Sequence, residues 1–435
     1  MSRILRRIFP LWLALLAAPA LAQGPTQQID AALLQAKARH APVLVDFHAP
    51  WCYSCYYMKQ NVLTGHEWER VERETVVVSL DADAPEGAHW MDAWHVKALP
   101  SYVVLDEKGE ELGRIIAEQT RYNFYRQLDI ITARGSTLAA LQAKAAKGGL
   151  PGLAAARDAL KAFLARRDAS TGLDWFAALP PAVRAPMAED PKVRQTLAQL
   201  RLQKAALAKD NTACISAGEE VLKSGLGCEF PYELDTVMAC AADLPQPQRE
   251  KLLAGHRHAM DHLVTFGAFG SKRCADQRSI VFTAADLYES LDDKTAAAKL
   301  LDRAIADAEK KLGGDPRKDR NLADNLRVYL DRAGRTAQLD AWMLKLIAAY
   351  PGDYVYNYRH GKNLLARGQA AEALPFLERA ADKAYGINRL KVAQQRAEAL
   401  KALKRDDDAR QVAADALKAN GPWFPEEAEK LKVYL

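Results

Sequence analysis

The chain has 435 residues, 49% hydrophobic and 26% charged, with a formal net charge of only +5. That length exceeds one typical compact domain, so two or three units are expected. Acids and bases are interspersed, and without a basic stripe or patch no nucleic-acid partner is expected.

The start "MSRILRR" holds Arg3, Arg6 and Arg7, and "IFPLWLALLAAPA" with a small-x-small "ALA" precedes Gln23. This pattern predicts a cleavable secretory signal peptide over residues 1–22. The apolar run is short for a membrane span and is interrupted by Pro10 and Pro19. Export changes how the six cysteines are read, because an oxidising compartment favours disulfides over metal sites or resting thiols.

Over residues 23–135 the pattern alternates. "TQQIDAALLQAKAR" predicts an amphipathic helix, and "APVLVDFHA" a buried strand rich in Val and aromatics. "SCYYMKQNVL" reads as helix, "TVVVSLDAD" as strand and "EGAHWMDAWHV" as helix. "KALPSYVVLDEKGEELGRI" reads as two strands joined by a turn, and "TRYNFYRQLDIITAR" as a closing helix. Strand–helix–strand implies a parallel pair and the hairpin an antiparallel one, so the unit is an α/β fold with a mixed sheet covered by helices.

Cys52 and Cys55 stand as Cys-x-x-Cys where the first strand gives way to a helix. A helix start has unpaired N–H groups and a partial positive charge, which stabilise a thiolate. Cys52 is then the attacking sulfur, and Cys55, one turn on and more enclosed, resolves the mixed disulfide. A zinc site needs about four ligands, and no second close pair completes one. Covalent haem needs His after the second cysteine, where Tyr56 stands. No metal and no cofactor is expected. A purely structural crosslink over so small a loop removes little chain entropy. Asp46 inside "VLVDF" is costly to bury as an anion, which raises its pKa towards proton transfer.

The segment "VLVDFHAPWCYSCYYMK" resembles the active-site segment of the thioredoxin family. Trp51 matches the tryptophan before the first cysteine, and Asp46 falls where the family has a buried carboxylate that handles protons. Pro100 in "KALPS" matches a cis-proline facing the disulfide, so the resemblance implies a cis Leu99–Pro100 bond. It implies a client surface at Trp51, Tyr53 and Leu99. The resemblance covers roughly Thr26 to Arg134. Within the family, "WCYSCYYMKQNVLTGHEWERVERETVVVSLDAD" is similar to the C-terminal periplasmic domain of DsbD-type reductases, which implies a periplasmic location and a membrane thiol electron donor. The chain departs from the family at His48, Tyr53-Ser54 and Val77. An imidazolium at His48 would stabilise a nearby thiolate and make the site more oxidising; packing of His48 at a strand end is the alternative reading.

Beyond about Gly135, Ala, Leu, Lys and Arg dominate and strand signals vanish, predicting an α-helical domain over 136–275. From 276 to 435, small residues Ala285, Gly361 and Ala397 each lie twelve positions before Ala297, Ala373 and Ala409. This resembles degenerate tetratricopeptide repeats, in which small residues let paired helices approach closely. Cys214 and Cys240 sit equally far along two helices from a turn near Gly227 and Cys228, and Cys274 follows two helices later at the same end. Structural crosslinks Cys214–Cys240 and Cys228–Cys274 are the simplest pairing of the three that four cysteines allow.

The expected function is an exported thiol:disulfide oxidoreductase, in the reductase or isomerase direction, acting on protein disulfide or thiol clients held by the helical region. Two alternatives stay open: an interaction scaffold whose redox unit is regulatory, and a chaperone-like holdase. The sequence sets no oligomeric state.

Overall fold

The computed structural model describes residues 26–224, 227–270 and 273–435. The expected signal peptide, residues 1–22, lies outside these residues, as do residues 23–25 of the expected first domain. Among the described residues no helix is long and apolar enough to cross a membrane.

The first unit runs α1 (Gln27–Arg39), β1 (Val43–His48), α2 (Tyr53–Asn61), α3 (Gly65–Glu74), β2 (Val76–Asp81), α4 (Pro85–Ala93), β3 (Ser101–Leu105), β4 (Glu111–Ile116) and α5 (Arg121–Arg134). Its four strands are ordered β2-β1-β3-β4. β1 pairs parallel with β2 and antiparallel with β3, and β3 pairs antiparallel with β4.

Strand alternation sorts the side chains. Val43, Val45 and Phe47 of β1 pack with Ile29, Ala32 and Ala36 of α1. Leu44 faces the other way, with Met58 of α2 and Phe124 and Leu128 of α5. Asp46 is two residues beyond Leu44, so the same alternation places it on the α2 side of the sheet. The Thr120 hydroxyl accepts from the Asn123 N–H at the start of α5, and Gly135, with φ +53°, ends that helix in the left-handed region. The expected helix after the cysteines is α2, and a further helix, α3, follows it from Gly65.

After Gly135 the described chain is helical. Four successive helix pairs lie near its end, Gln277–Ser290 with Lys294–Leu312, Arg320–Arg332 with Thr336–Ala349, Tyr354–Ala366 with Ala370–Ala381, and Ile387–Ala402 with Asp406–Asn420, and a short helix Pro425–Leu431 follows them. Small residues sit where these helices touch. A Cβ on Gly361 would lie 2.7 Å from Leu377 Cγ, and Ala285, Ala297, Ala397 and Ala409 are buried. One hydrophobic core extends from Ala198 to Tyr356, across the expected boundary at 275/276.

Candidate active site

α2 is built to present a sulfur. The Cys52 N–H donates to Ala49 O at 3.1 Å, turning the chain sharply after β1. Cys52 then caps α2 from an extended conformation, and its Sγ accepts the Cys55 N–H at 3.1 Å. Cys52 and Cys55 are joined in a disulfide. On reduction the same N–H and the positive helix end favour an anionic sulfur at Cys52. The Leu99–Pro100 peptide is cis, Pro100 is buried, and Leu99 packs on the cluster of Ala49, Cys52 and Cys55.

On the other side of α2 lies a cavity of about 430 Å³, lined among others by Asp46, His48, Cys55, Lys59 and Arg320. Burial pushes the Asp46 carboxyl up to about 6, against the opposing pull of His48, the Ser79 hydroxyl and Lys59. Asp46 and Cys55 thus line one chamber. Asp46 is half-buried at the chamber wall, and its raised carboxyl matches the expected cost of burying its anion. One expectation changes here. Cys55, at 8% exposure, is no more enclosed than Cys52 at 3%.

Cys52 is covered because the helical region closes over the start of α2. Asn321 Nδ2 donates to Tyr53 O at 2.9 Å, and Arg359 Nη2 donates to Trp51 O at 3.0 Å. The Arg278 guanidinium stacks on the Tyr53 ring, 3.3 Å from its centre, while Arg320 stacks on Tyr56 at 4.0 Å. A loop from the repeat-like region completes the cover: the Ile387 N–H donates to Asp83 O at 3.1 Å, and Tyr385 bonds to Asp81. Asp83 in turn accepts the Trp51 indole N–H at 2.7 Å. Of the three residues expected to form a client surface, Trp51 is exposed at 38%, Leu99 is half-buried and Tyr53 lies under Arg278.

The remaining cysteines are bonded Cys214–Cys240 and Cys228–Cys274. Cys214 and Cys240 lie in the core shared by the helices Asn211–Leu222 and Phe230–Cys240.

Residues 29–131 match the family model for a thioredoxin-like domain. The N-terminal domain is thioredoxin-like. It is similar to the thiol:disulfide interchange protein DsbD of Yersinia enterocolitica, with 31% identity over 87 residues, 20% of this chain and 15% of that protein. It is also similar to thioredoxin H2-1 of rice (Oryza sativa subsp. japonica), with 38% identity over 74 residues, 17% of this chain and 49% of that protein. The chain therefore spans less than half the length of either relative. A solved thioredoxin from Thermus thermophilus shares 31% identity over 25% of this chain and 85% of its own, with a TM-score of 0.23.

Several residues around the thioredoxin-like site were not singled out from the sequence. Asp324 is fully buried and carries three arginines, Arg278, Arg327 and Arg359, at 2.8, 3.0 and 2.5 Å. Glu118 is buried near Ser54 and Arg278, and burial holds its carboxyl well above the usual range. A sequence signal for the first group exists in "RNLADNLRVYLDR", where Asn321, Asp324 and Asn325 recur at helical spacing on a face that should be apolar.

Proposed function

We propose that the chain is an exported, periplasmic thiol:disulfide oxidoreductase working in the reductase or isomerase direction on protein clients. The reading is carried by one observation: the Cys52 sulfur caps α2 and accepts the Cys55 N–H, with Cys55 opening on the Asp46 chamber. In the reduced protein, the Cys52 thiolate attacks a client disulfide, and one client sulfur leaves with the electron pair of the broken bond. Cys55, deprotonated by Asp46, then attacks Cys52 Sγ. The second client sulfur leaves, and the Cys52–Cys55 disulfide remains. A thiol donor on the membrane restores the dithiol by the same exchange in reverse. Pro100 and Leu99 border the sulfur and shape the edge where the client strand lies.

The four terminal helix pairs are tetratricopeptide-like and hold a client or partner protein in this proposal. Support comes from the small residues at the helix contacts, Gly361 against Leu377 above all. The closed face over Cys52 also favours a second reading, an interaction scaffold in which the redox unit is regulatory. Reduction of insulin disulfides with dithiothreitol, followed by turbidity, separates the two. Acceleration by the wild type and its loss in Cys52→Ser is expected of the oxidoreductase; equal inertness of both supports the scaffold.

A further inference from the structure

The structure holds one carboxylate among three guanidiniums at the point where the helical region meets the redox helix. Asp324 Oδ1 accepts from Arg327 and Arg359, and Oδ2 from Arg278. The side chains of Asp324, Arg278 and Arg327 are almost fully covered, so these charges act through little water. The cluster is tied to the residues on both sides of Cys52. Arg359 reaches Trp51 O, the carbonyl of the peptide that ends at Cys52. Arg278 lies on the Tyr53 ring and donates from Nε to Asn325 Oδ1 at 2.7 Å; Asn325 donates to Asn321 at 3.4 Å, and Asn321 to Tyr53 O.

Other charged groups lie around the residues that flank Cys52. Asp276, at the start of the helix Gln277–Ser290, accepts from Tyr232 at 2.9 Å and lies 3.5 Å from the Tyr53 hydroxyl. Asp353 is paired with Arg320, and Asp83 accepts from Trp51. Asp81 is bonded to Tyr385, and His48 and Lys59 lie on the chamber side with Asp46. Glu118 is buried next to Ser54 with one carboxyl oxygen lacking a hydrogen-bond partner. The cluster itself sets three guanidiniums against Asp324, with Asp276 beside Tyr53 and Asp83 bonded to Trp51 on its flanks.

We propose that Arg359, aligned by Asp324 and backed by Arg278, is a positioning residue for the redox reaction: the helical region lends its positive charge to the Cys52 thiolate. The assignment rests on the oxidoreductase reading above and extends it, because a charge acting on the sulfur then comes from outside the thioredoxin-like domain. An anionic Cys52 stabilised in this way is a better leaving group and a more populated nucleophile. It favours the dithiol over the disulfide, and so makes the couple more oxidising than the domain alone.

The test uses the full chain, reduced, with the Cys52 thiolate followed by absorbance at 240 nm against pH and the Cys52–Cys55 state equilibrated with a glutathione buffer. Arg359→Gln should raise the Cys52 pKa by about one unit and shift the equilibrium several-fold towards the disulfide. Arg359→Lys, which keeps the charge, should restore at least half of that shift. Arg335→Gln, which breaks only the exposed pair with Asp302, should titrate like wild type. Arg278→Gln carries the same test if Arg359→Gln does not fold, with a smaller shift in the same direction. A folded Arg359→Gln protein with wild-type pKa and equilibrium overturns the role of Arg359, as does a Lys variant shifted as far as the Gln variant. A wild-type dithiol that never equilibrates with glutathione overturns the oxidoreductase reading itself.

Discussion

The guanidinium of Arg278 lies flat against the ring of Tyr53, 3.3 Å from its centre, and so clamps a helix of the second unit onto the residue after the first redox cysteine. A desolvated contact of this kind is worth about 2 kcal/mol. The cover it forms leaves Cys52 only 3% exposed. Under the proposed function a protein client reaches that sulfur when the cover opens, and the strength of the clamp sets how often it does.

Tyr53→Leu should loosen the clamp. Alkylation of Cys52 by iodoacetamide in the reduced protein, timed by mass spectrometry, is expected to speed up about tenfold, with a melting temperature lower by a few degrees. An unchanged rate in a folded variant would show that Tyr53 and Arg278 do not guard the sulfur.

Asp46 gives the redox step its pH dependence. Its folded carboxyl titrates at about 6, against an ordinary 3.8, because of burial. Between those values the folded chain keeps a proton that the unfolded chain has released, so stability falls as pH rises through the window and levels off above it. In Asp46→Asn that fall is absent: relative to wild type its melting temperature should rise by a few degrees between pH 4 and pH 7. The same variant should resolve the mixed disulfide about tenfold more slowly near neutrality, where Cys55 has lost its proton acceptor. Stopped-flow release of a client thiol checks the rate.

Gly386 holds the repeat-like region against the turn that carries Trp51's partner. A Cβ there would lie 1.8 Å from Asp83 O, and the backbone has φ +52°. Gly386→Ala should therefore cost about 2 kcal/mol in denaturant unfolding and speed hydrogen exchange of the Ile387 N–H that donates to Asp83. Retained protection at Ile387 would count against the contact.

The Cys214–Cys240 disulfide closes a separation of 26 residues and Cys228–Cys274 one of 46. Replacing Cys214 and Cys240 together by Ala is expected to remove about 3 kcal/mol of stability. Insulin reduction per folded molecule should stay at the wild-type level. A large loss of activity in a still-folded double variant would give these sulfurs a share in electron transfer.

Local chemistry made the thioredoxin-like unit legible. Apolar runs of Val and Phe, the Cys-x-x-Cys at a strand end and the hairpin turn at Gly109 each act over a few residues, and the parallel pair and the antiparallel hairpin follow from them. The closure of the site was not legible, because it depends on residues far apart in sequence. Arg278, Asn321 and Arg359 lie on three different helices, and each reads as an ordinary solvated polar residue until those helices pack. The burial of Cys52 relative to Cys55 was misread for the same reason, since a surface left open by the first unit is covered by the second.

The most direct measurement is capture of a client by one sulfur at a time. Reduced Cys55→Ser protein, mixed with a peptide disulfide and mapped by mass spectrometry, should carry the peptide on Cys52, and the Cys52→Ser, Cys55→Ser double variant should carry none. Absence of any adduct on Cys52, under conditions where dithiothreitol still reduces the wild-type disulfide, would contradict exchange at this site.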